Sequence, residues 1–114
     1  MTRPPDPRMT QTTQAVLRAL LERPSRKLYG LEICANAGLP SGTIHPILAR
    51  LERIGWLESS WEEIDPHEQG RPRRRYYWLS PEGAERARPA LARVTESTAA
   101  IRRLRPGMST GGGA

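Results

Sequence analysis

The chain has little of what builds metal, disulfide or cofactor chemistry. It holds one cysteine, Cys34, in 114 residues, so no disulfide can close within it. Only two histidines, His45 and His67, accompany that thiol, which excludes a dedicated metal site within one chain as a working expectation. No phosphate loop occurs, and nothing places a nucleophile elbow between a strand and a helix. The expectation is therefore a non-enzymatic protein without a cofactor. Long apolar runs are also missing: no stretch has a signal-peptide core and none approaches a membrane span. That points to the reducing cytoplasm and away from membranes. Cys34 sits in an apolar helical pattern with Leu31 and Ala35 and reads as a small packed hydrophobe, against the alternative of a redox sensor.

Positive charge, by contrast, is abundant. Eighteen Lys and Arg face twelve Asp and Glu, for a formal net charge of +6. A basic domain of this size attracts polyanions, nucleic acid foremost. The length suits one domain with a modest core, so apolar surface on a long helix invites cover by a second copy.

Proline and glycine divide the chain. Three prolines and two arginines in Met1–Arg8 read as a disordered arm over 1–9, and the glycine-rich 106–114 reads as a disordered tail. Between them, Val16, Leu17, Leu20 and Leu21 form the apolar stripe of a first helix over Thr10–Glu22, ended before Pro24. A second helix over Tyr29–Ala37 would turn Leu28, Leu31 and Ala35 inward and stop at Gly38. A third starts at Ser41 or Thr43 and runs to Ile54, with Gly55 as its stop. Two helices joined by a short glycine corner make a helix-turn-helix. Trp56–Ile64 and Arg74–Leu79 then read as two strands of a hairpin around an Asp65–Pro72 loop. Ser80-Pro81-Glu82 starts a last helix to Arg105, which Pro89 should kink or split. The fold class is α+β, mostly helical: a winged helix-turn-helix domain over 10–80 with a C-terminal dimerisation helix over 81–105.

The third helix offers a reading face. Ile44, Ile47, Leu48, Leu51 and Ile54 make its core stripe, leaving His45, Pro46, Ala49, Arg50 and Arg53 opposite, with Ser41, Gly42 and Thr43 at its tip. Hydroxyls and imidazole at the tip suit base edges or phosphates, and arginines further along suit phosphates or guanine. The loop return Gly70-Arg71-Pro72-Arg73-Arg74-Arg75 puts four arginines where a wing meets the DNA backbone. The DNA-contact candidates are thus Ser41, Thr43, His45, Arg50, Arg53, Arg71 and Arg73. Glu58, Glu62, Glu63, Asp65 and Glu68 run against this, since they would repel phosphate. Pairing of some of them with Arg73–Arg75 across the strands, in a register the sequence does not assign, would leave Arg71 and a neighbour free and resolve the conflict. In the last helix Ala84, Ala87, Leu91, Val94, Thr98 and Ile101 recur at three and four residues as a dimerisation seam, with packing onto the first helix as the alternative.

Three stretches carry a resemblance to a family. Leu28-Tyr29-Gly30-Leu31-Glu32-Ile33, Gly42-Thr43-Ile44-His45-Pro46-Ile47-Leu48-Ala49-Arg50-Leu51-Glu52 with Gly55-Trp56-Leu57, and Gly70–Ser80 with Glu82-Gly83 resemble, in order and spacing, motifs of the PadR family of bacterial transcriptional regulators. The resemblance covers about Thr10–Arg88. It implies a dimeric winged-helix repressor with its third helix in the major groove, and a small apolar or aromatic effector near the dimer interface. Two positions depart from the family: His45 stands where tyrosine is usual, and Leu31 stands where an aromatic is common, which reads as a packing change. In addition, no aromatic follows Trp78, where drug-binding short members carry one. The partners expected are double-stranded DNA and a second copy of the chain. A different class of function, a winged-helix module that binds a protein through the acidic Glu58–Glu68 stretch, is the alternative.

Overall fold

The structure, a computed structural model, describes residues 4–104. Its elements are α1 (Gln11–Leu21), β1 (Leu28–Tyr29), α2 (Gly30–Ala37), α3 (Ser41–Arg53), β2 (Leu57–Trp61), α4 (Pro66–Gln69), β3 (Arg75–Leu79) and α5 (Pro81–Leu104). The expected tail over 106–114 lies outside the described residues.

The helices form where the apolar periodicity places them. In α1 the Thr10 hydroxyl caps the first turn by accepting from the Thr13 amide at 3.2 Å, and Val16, Leu17 and Leu20 are buried. The corner between α2 and α3 is built on Gly38, whose φ of +70° an L side chain rarely adopts. There the Gly38 and Leu39 amides both return to the Cys34 carbonyl, which ends α2 and turns the chain into α3. In α3, Ile44, Ile47, Leu48 and Leu51 are buried against α1 and α2, and Ile54 is half-buried beside them. Cys34 is partly buried against the same core.

The three strands form one antiparallel sheet in the order β1-β3-β2. The β2–β3 hairpin pairs Leu57 with Leu79 and Trp61 with Arg75, so Leu57, Tyr77 and Leu79 turn into the core. This hairpin is the wing, and the whole is a winged helix-turn-helix fold.

Several details differ from the sequence reading. Leu31 and Ala35 are exposed, and Ile33 holds the inward position of α2 instead. The reason is β1: Leu28 and Tyr29 pair with Tyr77 and Tyr76, and this edge sets the rotation at which α2 begins. Trp56 is fully buried ahead of β2 rather than part of it. The wing loop contains the short helix α4, capped by the Asp65 carboxylate on the His67 amide at 2.9 Å. Pro89 does not split α5, which runs unbroken through it. Pro89 and Glu85 both lie on the exposed side, where the carbonyl that lacks a donor can meet water.

The seam of α5 divides in two. Ala87, Ala90 and Leu91 are buried in the protein's own core, with Ala84 packed against it, so this half is not open to a second copy. Val94 is half-buried, while Thr98 and Ile101 are exposed. At the start of α5, Ser80 Oγ donates to the Gly55 carbonyl at 2.7 Å and accepts from the Gly83 amide at 3.0 Å. A Cβ at Gly83 would overlap the Trp56 carbonyl, so only glycine permits this approach. Residues Pro4–Thr10 form no helix or strand, and Asp6 among them pairs with both Arg86 and Arg93 of α5.

Candidate nucleic-acid interface

The outer face of α3 is as the helical wheel expects. His45, Pro46, Ala49, Arg50 and Arg53 are all exposed. Among the described residues neither Arg50 nor Arg53 makes an ion pair, so both guanidiniums keep their charge available to an external anion. The start of α3 follows Pro40 and carries no side-chain cap, which leaves the positive end of the helix dipole open. Thr43 is half-buried at this end.

The wing stands beside that tip. Between them lies a cleft of about 420 Å³. Ser41 and His45 line it from α3, and Arg71, Arg73, Arg74 and Arg75 line it from the wing. Four of the seven sequence-derived candidates, Ser41, His45, Arg71 and Arg73, therefore meet in one place. Thr43, Arg50 and Arg53 do not line it. His45 also approaches the start of α2, where a Cβ built on Gly30 would sit 3.5 Å from its Cε1.

The arginines of the wing are not equivalent, and their pairing corrects the sequence reading. Arg71, expected to be free, makes a two-pronged ion pair with Glu62 at 2.7 and 3.0 Å. The strand register explains this. Trp61 pairs with Arg75, the Glu62 amide donates to the Arg74 carbonyl, and α4 folds the loop so that Arg71 returns over Glu62. The hydrogen bonds from Arg71 hold the Glu62 carboxyl at a pKa of about 2, aided by the Arg74 amide and opposed by desolvation. The same contact raises the pKa of Arg71.

Arg73 makes no ion pair among the described residues and donates through Nε to the Ile64 carbonyl at 3.0 Å. Arg74 lies over the Tyr29 ring at 4.3 Å. Arg75 reaches Glu52 at 3.4 Å and stacks over Trp61 at 5.1 Å. Burial pushes the Tyr77 hydroxyl pKa up.

The acidic stretch is largely used inside the protein. Glu62 holds Arg71, Glu58 accepts from the Trp78 indole at 3.0 Å, and Asp65 caps α4. Glu63 and Glu68 remain exposed. The cleft itself is lined by no carboxylate.

Sequence reasoning missed Tyr29, Leu31, Trp61, Arg74 and Arg75 as members of this cleft. Trp61 and the arginines carried a signal, since they flank the wing loop. Leu31 carried none, because helical periodicity alone turned it inward. No group of His, Cys, Asp and Glu among the described residues has the arrangement of a metal site, and no helix there is long and apolar enough to cross a membrane.

No curated protein matches the chain significantly. Among solved structures, a PadR family transcription regulator from Clostridium difficile R20291 superposes with a TM-score of 0.59 at 21% identity, over 87% of this chain and 98% of that one. A putative DNA-binding protein from Ralstonia eutropha JMP134 gives 0.57 at 23% identity, over 72% and 96%. Bordetella bronchiseptica BpsR, whose DNA binding is regulated by 6-hydroxynicotinic acid, gives 0.60 at 22% identity, over 94% and 84%. These likenesses establish the fold. The family model for PadR-like transcriptional regulators matches residues 16–89, which takes in the second half of α1, all of α2 and α3, the wing and the first turns of α5. With the helix-turn-helix, the basic wing and that match together, the chain belongs to the PadR-like family of transcriptional regulators.

Proposed function

We propose that the protein is a sequence-specific repressor that binds an inverted-repeat operator as a homodimer in the cytoplasm. The observation that carries this is the juxtaposition of the uncompensated outer face of α3 with the cationic cleft beside the wing. On this reading α3 enters the major groove. Arg50, Arg53 and Arg73 meet phosphates, Ser41, Thr43 and His45 address base edges and backbone, and Arg71 holds the wing in shape through Glu62.

A second copy would dock on the distal half of α5. There Ile101 is 57% and Leu104 82% exposed, with Val94 and Thr98 on the same seam. Two-fold pairing along this helix presents two α3 helices to half-sites about one helical turn apart. The regulation of BpsR by a small molecule supports a small-molecule effector here too, and its apolar character is an expectation from the family resemblance alone. The protein-binding alternative loses its main support, because three of the five acids it relies on are engaged within the chain.

The test is selection of bound sites from random duplex DNA, followed by sedimentation of the complex. A palindromic consensus bound by two chains is the expected result. A failure to enrich any sequence overturns the reading.

A further inference from the structure

Four large apolar side chains among the described residues stand well outside the core: Leu31, Trp61, Ile101 and Leu104. The last two lie at the end of α5, where the proposed second subunit would cover them. Leu31 and Trp61 are elsewhere and share one cleft. One belongs to the first turn of α2 and the other to the last position of β2, yet both line the cleft between the tip of α3 and the wing. Leu31 is 71% exposed and Trp61 57% exposed. A single exposed leucine needs no explanation, but two large apolar side chains in one cleft mark a contact surface.

Trp61 is held in place without being covered. The Arg75 guanidinium stacks over its ring at 5.1 Å, and Arg75 is itself anchored on Glu52 at 3.4 Å. Around the apolar pair, the rim carries Ser41, His45, Arg73 and Arg74, and no carboxylate. The cleft is thus apolar inside and cationic or hydrogen-bonding at its edge. A duplex strand has the complementary chemistry, with the carbon face of each deoxyribose flanked by two phosphates.

Resting on the DNA-binding reading above, we propose that Leu31 and Trp61 clamp the apolar face of one deoxyribose in the DNA backbone, while the rim takes its flanking phosphates. The clamp contributes affinity that is independent of base sequence and of salt, because burying carbon releases no counterions. The arginines contribute the salt-dependent share.

The test measures affinity by fluorescence anisotropy across a salt series for the wild type, Trp61→Ala, Leu31→Ala and Arg73→Ala. The probes are a duplex selected by the wild-type protein, an unrelated duplex, and the selected duplex with thymine replaced by uracil. Trp61→Ala should weaken binding about tenfold and Leu31→Ala about threefold, equally on all three duplexes and with the wild-type salt slope. Arg73→Ala should lower the slope. Both apolar positions are exposed, and thermal unfolding of each variant verifies that it folds.

Unchanged affinity in Trp61→Ala overturns the clamp. A loss accompanied by a lower slope overturns it as well, since Trp61 would then act only by placing Arg75. A loss that disappears on the uracil duplex overturns it in favour of a thymine-methyl contact. A wild-type protein that binds no duplex overturns the DNA-binding reading itself, and the clamp with it, before any variant is made.

Discussion

The outer face of α3 and the wing are both rich in arginine, but they hold their charge differently. On α3, Arg50 and Arg53 are exposed and make no ion pair among the described residues. In the wing, Arg71 is committed to Glu62, Arg75 to Glu52 and Trp61, and Arg74 to the Tyr29 ring. Arg73 alone of that run keeps a guanidinium without an acidic or aromatic partner among the described residues. A cluster of arginines in a sequence is therefore not a measure of the charge a surface offers. The outer face of α3 supplies available charge, and the wing commits most of its own to its shape.

The largest effect should come from breaking the support shared by the two regions. Gly83→Ala sets a Cβ against the Trp56 carbonyl, directly ahead of β2, and backbone rather than a flexible side chain must move. A loss of about 3 kcal/mol in urea unfolding is expected, with the base of the wing displaced. A wild-type midpoint would show that the contact is not a constraint.

Removing charge from each region separately tests the comparison directly. The double change Arg50→Ala with Arg53→Ala should weaken duplex binding strongly and reduce the slope of log affinity against log salt by about 2. Arg71→Ala should leave that slope almost unchanged. Equal slope changes in the two proteins would erase the distinction between free and committed arginines.

The smallest effect is a pH dependence confined to the wing. Glu62 has a folded pKa of about 2 against an ordinary value of 4.5. Its pairing therefore contributes stability that is fully present above pH 4.5 and is lost as pH falls towards 2. The stability difference between the wild type and Glu62→Gln, measured by denaturant unfolding, should shrink across that window. In Arg71→Ala the Glu62 carboxyl should titrate close to the ordinary value when followed by carbon NMR. A Glu62 pKa that stays near 2 in that variant would assign the shift to the Arg74 amide instead.

Most of the helical frame could be read before any coordinates. The stripes of α1 and α3, the stop at Gly38 and the start at Ser80-Pro81 all follow from forces acting within a few residues, and each lies within one or two residues of its expected place. The candidate site was readable only in part. Ser41, His45, Arg71 and Arg73 were named from position and chemistry and do gather in one cleft. Leu31 was assigned to the core because periodicity gives a spacing without an absolute rotation. That rotation is set by β1, a strand of two residues that exists only because β3 offers it an edge. The freedom of Arg71 was misjudged for a similar reason, since the path of the wing loop through α4 decides which acid it meets.

The amino-acid sequence by itself determined the order of elements, the apolar faces of α1 and α3, the basic balance and the motif order that marks the family, because these depend on local propensity and composition. Only the tertiary structure decided which arginines remain available, that the proximal half of α5 belongs to the core while Thr98 and Ile101 stay exposed, and that Asp6 pairs with Arg86 and Arg93. Those outcomes depend on strand register, loop path and the meeting of segments far apart in the chain, and no pattern within a few residues encodes them.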